Sequence, residues 1–279
     1  MTDQAAETPK FQQAAPLSET ETKKILIAVA HHDDIEFGIG GSVAKWVQEG
    51  AEVTYVIITD GGAGSNTPGV LRSDLVAQRQ QEQINAGVAL GVTDIRFLGY
   101  PDGVLQPTIE LRRDLVRILR EVKPDRVVLQ DPTTVFFGDN YINHPDHRAA
   151  GEATLYSVFP SSETRPIFPE LLEEGLEPHK VKELYVALTL NPTHFTDITE
   201  FVDHKIAALR CHVSQLGDEK DFEEGALKWI MERTTESGKQ AGVGAAEFFK
   251  IMTLSRPAPV HDPKEDSAQE IIEEIQEQP

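Results

Sequence analysis

The sequence contains one cysteine, Cys211, and no long hydrophobic run among its 279 residues. A single cysteine excludes an intrachain disulfide, and no apolar stretch reaches the ~20 residues that span a bilayer. The first twenty residues are polar and lack the charged and apolar segments of a secretory signal. These absences together predict a cytoplasmic protein.

Basic residues are also scarce, with 26 lysines and arginines against 46 aspartates and glutamates, for a net charge of −20. Such a surface repels nucleic-acid phosphates and anionic lipid, so neither nucleic acid nor membrane is an expected partner. A well-solvated surface explains the acidity without naming any ligand. The hydrophobic content of 39% is enough for a globular core.

Composition divides the chain into three parts. Residues 1–22 are predicted to form a flexible N-terminal arm, and residues 23–255 a single folded domain. Residues 256–279 begin with three prolines and become acidic, which predicts a tail with a short helix at Ser267–Gln278. The sequence shows no internal repeat.

Strand-like apolar runs alternate with helical stretches between the two ends. The predicted strands are Lys24–Ala30, Val53–Thr59, Ile95–Leu98, Arg126–Gln130 and Val181–Leu190. The predicted helices are Gly38–Glu49, Asp74–Leu90, Ile109–Glu121, Pro145–Val158, Phe201–His212 and Asp221–Thr235. This alternation predicts an α/β fold, a Rossmann-like three-layer sandwich with a mostly parallel sheet. Ligands of such sheets bind beyond the carboxyl ends of the strands.

Polar residues with metal-binding chemistry follow two of these strands. His31 and Asp34 come directly after the first strand, and His147 follows a loop after Arg126–Gln130. Two histidines and a carboxylate suit a three-ligand zinc site with an open fourth position. Asp33 is then free to act as a general base toward water. A purely structural cluster at a helix N-terminus is the alternative for the second segment.

A glycine-rich segment, Gly38-Ile39-Gly40-Gly41, lies between the first strand and its helix. Glycines in this place can indicate a dinucleotide-binding loop. Polar and charged residues separate the strand from the first glycine, however, and the full G-x-G-x-x-G pattern is absent. Close packing of the helix on the sheet is the favoured interpretation.

The two polar segments resemble the signatures of the PIG-L / LmbE-like deacetylases, zinc enzymes that remove acetyl groups from glucosamine-containing substrates. The family motif A-H-P-D-D-x-E corresponds to residues 30–36, and H-x-D-H corresponds to residues 144–147. Further similar segments are Thr59-Asp60-Gly61, Arg79-Gln80-Gln81-Glu82, Leu98-Gly99-Tyr100-Pro101-Asp102-Gly103, His212-Val213-Ser214-Gln215 and Ala246-Glu247-Phe248. The resemblance assigns zinc binding to His31, Asp34 and His147, and the general base to Asp33.

The resemblance implies further roles near the same pocket. His144 would stabilise the oxyanion or act as an acid, with Asp146 orienting it. Arg79 would hold the sugar, and Asp60 would line the pocket, although an ordinary turn also explains Asp60. A homo-oligomer, a trimer or a hexamer, is also implied.

His32 departs from the family pattern, which has proline at this position. Histidine leaves the loop less constrained and adds a nitrogen beside the predicted metal. His31 is the preferred ligand because its spacing to Asp34 matches the family motif.

The resulting hypothesis is a zinc-dependent amidohydrolase that removes the acetyl group of an N-acetylglucosamine-type sugar or conjugate. An amidase acting on thiol-sugar conjugates is a variant of the same chemistry. A non-catalytic sugar- or metal-binding protein is a rival, although a structural zinc site normally has four protein ligands. A non-haem iron oxygenase is another rival, because two histidines and a carboxylate also suit Fe(II).

Overall fold

The computed structural model describes residues 11–254. The predicted acidic tail at 256–279, with its helix at Ser267–Gln278, lies outside the described residues, and so does the start of the predicted arm. Within residues 11–254, none of the helices combines the length and the apolar character needed to cross a bilayer.

The described strands and helices alternate along most of the chain. The strands are β1 (Gln12–Gln13), β2 (Lys24–Val29), β3 (Glu52–Thr59), β4 (Asp94–Tyr100), β5 (Arg126–Gln130), β6 (Phe136–Phe137), β7 (Tyr141–Ile142), β8 (Glu183–Ala187), β9 (His194–Asp197) and β10 (Ala246–Thr253). The α-helices are α1 (Asp34–Gln48), α2 (Arg72–Ala89), α3 (Ile109–Val122), α4 (Pro145–Tyr156), α5 (Glu170–Glu173), α6 (Val202–Leu209), α7 (Val213–Leu216), α8 (Glu219–Asp221) and α9 (Leu227–Ala241).

The central sheet has the strand order β1-β9-β10-β8-β5-β2-β3-β4. The run from β8 to β4 is parallel, whereas β10 pairs antiparallel with both β8 and β9. The mostly parallel α/β fold is therefore confirmed. Strand β2 lies between β5 and β3, so the loops that follow β2 and β5 emerge side by side at one edge of the sheet.

The side chains of β2 supply both faces of the core. Ile25 and Ile27 pack in the cluster that includes residues of α1, whereas Leu26 and Ala28 pack in the cluster that includes residues of α3 and α4. Side chains alternate across a strand, so consecutive apolar residues must be covered on both faces. This accounts for the helix–sheet–helix layers.

The structure differs from the predicted arm over residues 11–22. Strand β1 (Gln12–Gln13) pairs parallel with β9, and Leu17 is only 6% exposed within the core. Backbone pairing and one buried leucine attach this stretch to the sheet, although its polar composition favours an arm.

Helix α1 contains a kink at the glycine-rich segment. Ile39 has non-helical backbone angles (φ −144°, ψ 16°), which leaves N–H groups of the next turn without their helical acceptors. Glu247 accepts hydrogen bonds from the Gly41 N–H at 3.1 Å and the Ser42 N–H at 2.7 Å, and Lys205 Nζ lies 2.6 Å from its carboxylate. The Glu247 carboxylate thus accepts hydrogen bonds from the N–H groups to which a nucleotide phosphate would have to bind.

Replacing Lys205 by Met is expected to lower the free energy of unfolding by ~3–5 kcal/mol, because the buried charge of Glu247 loses the cation that neutralises it. Both side chains are about 5% exposed or less. Urea unfolding measures the change, with Lys228→Met as the control because the Lys228 side chain is 79% exposed. A loss in Lys205→Met no larger than in the control would show that the ion pair contributes little.

Candidate active site

The first site loop connects β2 to α1. It places His31 and His32 before the helix and Asp34 in its first turn. The Asp34 carboxylate accepts a hydrogen bond from the His31 N–H at 2.7 Å, which closes the loop. Asp33 precedes the helix with a left-handed backbone (φ 84°, ψ −22°). The helix therefore begins at Asp34, a candidate metal ligand, four residues before the predicted start at Gly38.

The second site loop follows β5 and ends at α4. His144 caps this helix, since its Nδ1 accepts a hydrogen bond from the Asp146 N–H at 3.2 Å, and Pro145 occupies the first turn. Accepting this bond requires an unprotonated Nδ1, which leaves the proton of a neutral His144 on Nε2. His147 lies in the first turn of the helix and faces the first loop.

The donor atoms of the three predicted ligands converge between the two loops. His147 Nε2 lies 3.0 Å from an Asp34 oxygen and 3.1 Å from His31 Nδ1, and His31 Nδ1 lies 3.5 Å from Asp34 Oδ2. The set of two imidazole nitrogens and one carboxylate fits a catalytic zinc site. The His147 Nδ1 lies 3.3 Å from the Asn143 side-chain oxygen, a contact of the kind that orients metal-binding histidines.

The second nitrogen of His31 faces two further carboxylates. Its Nε2 lies 3.1 Å from Asp102 Oδ1 and 3.4 Å from Asp146 Oδ2. Burial alone would lower the pKa of His31, but hydrogen bonds to Asp102, Asp146 and Asp34 outweigh it and raise the pKa to about 12. The surroundings of His31 therefore stabilise positive charge, as a cation-binding site requires.

Asp146 contacts both His144 and His31, through different groups. Its backbone N–H donates to His144 Nδ1, whereas its carboxylate faces His31 and accepts hydrogen bonds from the Gly103 N–H at 2.7 Å and the Leu105 N–H at 3.0 Å. The carboxylate thus fixes the loop after β4 to the site. The backbone of Asp146 contacts the His144 ring, and the orienting role of Asp146 stays a prediction.

A second group with metal-binding chemistry comprises His31, His144 and Asp146. It would use His31 Nε2, the nitrogen already bonded to Asp102 and Asp146. A histidine that binds a metal through one nitrogen normally donates the other N–H to a carboxylate. The contacts of His31 therefore favour the group with Asp34 and His147, and assign Asp102 and Asp146 the supporting role.

Asp33 lies beside the three converging residues and has its own contacts. Its backbone N–H donates to Gln83 Oε1 at 3.1 Å, and its carboxylate lies 3.5 Å from Arg79 Nη2. Burial and the neighbouring Asp34 carboxylate raise the pKa of Asp33 to about 7. A group with such a pKa suits general base chemistry near neutral pH.

Arg79 lies behind the first loop, with 4% of its surface exposed. Its guanidinium donates to the Gly61 carbonyl oxygen at 3.1 Å and to the His32 carbonyl oxygen at 2.9 Å. These contacts brace the loop that carries Asp33. The sugar contact expected of Arg79 stays a prediction.

Asp60 connects loops at the carboxyl ends of β3 and β4. Its carboxylate binds Arg72 at 2.6 Å and accepts hydrogen bonds from the Gly62 N–H at 2.9 Å and the Asp102 N–H at 3.3 Å. These contacts agree with both interpretations of Asp60, as a turn residue and as a residue that lines the pocket. A direct contact between Asp60 and a substrate stays a prediction.

His32 points away from the converging ligands. Its ring is fully buried and stacks on Phe97 with the centroids 5.5 Å apart. Neither ring nitrogen has a hydrogen-bond partner among residues 11–254. Burial and the charge of Arg79 lower its pKa to about 3, so the ring is neutral. The nitrogen that could compete for a metal is thus directed into the core.

Four residues of the site received no role from the sequence: Asp102, Gln83, Glu36 and His212. Asp102 is 9% exposed and the other three are fully buried. Three of them, Asp102, Glu36 and His212, lie within segments that resemble the family, and this resemblance could have indicated that they belong to the site. Their contacts depend on distant parts of the chain and could not be read from spacing.

Comparison with known proteins agrees with this geometry. Residues 26–158 match the family model described as PIG-L, GlcNAc-PI de-N-acetylase. A diacetylchitobiose deacetylase of Thermococcus kodakarensis is 31% identical over 203 residues, covering 71% of this chain and 72% of that protein. The chain belongs to the PIG-L family. The two family motifs, residues 30–36 and 144–147, lie within the matched range and supply the three converging ligands.

A solved structure and a further relative show the same similarity, in fold and in sequence. An N,N'-diacetylchitobiose deacetylase of Pyrococcus horikoshii superimposes with a TM-score of 0.78 at 32% identity, covering 88% of this chain and 89% of that one. A probable N-acetyl-α-D-glucosaminyl L-malate deacetylase of Bacillus anthracis is 29% identical, covering 75% of this chain and 90% of that protein. The predicted amidohydrolase class is confirmed, whereas the oxygenase hypothesis has no support among these relatives.

Proposed function

We propose that this PIG-L protein is a zinc-dependent hydrolase that removes the N-acetyl group from an N-acetylglucosamine-type sugar or sugar conjugate. The observation that carries the proposal is the convergence of His31, Asp34 and His147 beside a carboxylate, Asp33, that the three-ligand set leaves free. A structural zinc site would be closed by a fourth ligand.

The chain's own groups divide the chemistry between them. Zinc, when bound, polarises an amide carbonyl and lowers the pKa of water to about 7. Asp33 takes the proton of the attacking water, and the Arg79 guanidinium lies 3.5 Å from the Asp33 carboxylate. His144, with its proton on Nε2, donates a hydrogen bond to the oxygen that becomes negative. As the C–N bond breaks, the nitrogen receives the proton that Asp33 took from the water, so the products are the amine and acetate.

The names of the relatives support an N-acetylated glucosamine as the substrate. The relatives act on diacetylchitobiose, on an N-acetylglucosaminyl malate and on an inositol 2-acetamido-2-deoxy-glucopyranoside. These compounds share a 2-acetamido sugar joined to a second group. We assign the same class to this chain, without choosing the second group.

The location, partners and oligomeric state of the enzyme are part of the same proposal. The single cysteine and the net charge of −20 support a cytoplasmic enzyme that binds neither nucleic acid nor membrane. A single catalytic domain over residues 23–255, with residues 11–22 attached to its sheet, and a homo-oligomer, a trimer or hexamer, complete the proposal.

Amine release from a panel of acetylated compounds tests the substrate class. N-Acetylglucosamine and N,N'-diacetylchitobiose represent the proposed class, and N-acetylglutamate serves as an acetylated compound without a sugar. We expect a fluorescent amine assay to detect product from at least one sugar and none from N-acetylglutamate. Binding of the sugars without amine release would favour the non-catalytic rival.

A further inference from the structure

Asp33 has a backbone conformation that residues with side chains rarely adopt. Its φ of 84° lies in the left-handed region, where the Cβ approaches the carbonyl oxygen. Such conformations cost ~1–3 kcal/mol and persist only where surrounding contacts hold them. The contacts of Asp33 therefore identify what fixes the proposed base.

Gln83 on α2 is the residue that holds the Asp33 backbone. Its side chain is fully buried, and its Oε1 accepts a hydrogen bond from the Asp33 N–H at 3.1 Å. Its Nε2 donates to Glu36 Oε1 at 2.9 Å. Glu36 lies one turn from Asp33 in α1, so one amide joins the strained residue to the helix that follows it.

The orientation of the Gln83 amide is fixed by a second buried pair. Glu36 and His212 are both 0% exposed, and Glu36 Oε2 lies 3.2 Å from His212 Nε2. The hydrogen bond from Gln83 Nε2 to Glu36 Oε1 directs the NH₂ group of the amide at Glu36. The oxygen of the amide is consequently directed at the Asp33 N–H.

Helix α2 contacts Asp33 from two successive turns. Arg79 and Gln83 are four residues apart and therefore share a helix face. Arg79 donates to the His32 carbonyl oxygen at 2.9 Å and lies 3.5 Å from the Asp33 carboxylate. The His32 carbonyl oxygen and the Asp33 N–H belong to the same peptide, so α2 holds both polar groups of the peptide that precedes the Asp33 side chain.

We propose that Gln83 is a positioning residue for the deacetylation: it holds Asp33 in its left-handed conformation so that the carboxylate faces the reacting water. The relay from His212 through Glu36 keeps the Gln83 amide in the required orientation. This inference rests on the proposed function, because Gln83 acts on the reaction only through Asp33.

The test compares kcat, KM and zinc content of full-length variants, with N,N'-diacetylchitobiose as the substrate probe. Gln83→Met keeps the length of the side chain but removes both hydrogen bonds. We expect kcat to fall ~10–100-fold, since misplacing a catalytic group by about 1 Å costs on the order of 10²-fold. KM should change less than ~3-fold, and the zinc content should remain about one per chain.

Two further variants separate positioning from general packing. Gln83→Glu introduces a carboxyl that shares one proton with Glu36, because two buried carboxylates this close cannot both ionise. Its neutral form reproduces the donor and the acceptor of the amide, so kcat should recover to within ~5-fold of the wild type. Gln83→Asn keeps an amide that is too short to reach, and should lose kcat as Gln83→Met does.

Gln81→Met is the matched control, because Gln81 is exposed on the same helix and bonds only Asn85 among the described hydrogen bonds. It should leave kcat unchanged. Unchanged kcat in folded, zinc-loaded Gln83→Met or Gln83→Asn would overturn the proposal, and so would a loss that Gln83→Glu does not restore. A wild-type protein without turnover would instead remove the proposed function, and this inference with it.

Discussion

Replacing Asp33 by Asn is expected to lower kcat by ~10²–10⁴-fold, the usual value of general acid–base assistance. Asparagine keeps the shape of the side chain and the backbone contact with Gln83, but its amide cannot accept the proton of the attacking water. KM should change far less than kcat, because the loss is confined to the chemical step. Steady-state kinetics and metal analysis of the same preparation measure both quantities.

The Asp33→Asn result has two informative alternatives. Retained zinc with unchanged turnover would contradict the role of Asp33 as the base. Loss of zinc would instead place Asp33 among the metal ligands. Asp74→Asn is the matched control, since Asp74 is an exposed carboxylate in the first turn of α2, and it should alter neither quantity.

Replacing His147 by Ala is expected to remove most of the zinc and with it the activity. His31 and Asp34 would remain, and two protein ligands rarely hold zinc tightly. Because loss of a supporting contact alone costs 10–100-fold in affinity, we expect a zinc affinity lowered by more than about 100-fold. Competition with a fluorescent chelator measures this change.

His204→Ala provides the control for the His147 experiment. His204 is an exposed histidine on α6, so its loss should leave the zinc content unchanged. Full zinc occupancy in His147→Ala would show that the metal is held elsewhere. The second group, His31 with His144 and Asp146, would then become the preferred site.

The central strands, and the position of the site residues at their carboxyl ends, were predictable from the sequence. In these segments the apolar run and the β-branched composition indicate the same structure. Val53–Thr59 and Arg126–Gln130 are apolar and β-branched, and the structure places strands at Glu52–Thr59 and Arg126–Gln130. Parallel strands bring their carboxyl ends to one edge, so the polar residues after β2 and β5 meet as expected. The cluster of His31, Asp34 and His147 follows from this topology.

The outer part of the sheet and the supporting contacts were not predictable in the same way. Strand β9 is His194–Asp197, which has four residues and no continuous apolar run, and β10 returns antiparallel beside it. The anion that caps the kink of α1 is Glu247, 206 residues from Gly41. Asp102 likewise reaches His31 only through the fold. Sequence spacing carries no information on such pairings.

Acetate release from N,N'-diacetylchitobiose by metal-free and zinc-reloaded protein tests the central claim most directly. The chelator-treated protein should release almost no acetate, and about one equivalent of zinc per chain should restore the rate. His147→Ala should not recover at the same zinc concentration. Undiminished acetate release from metal-free protein would contradict a zinc-dependent hydrolase at His31, Asp34 and His147.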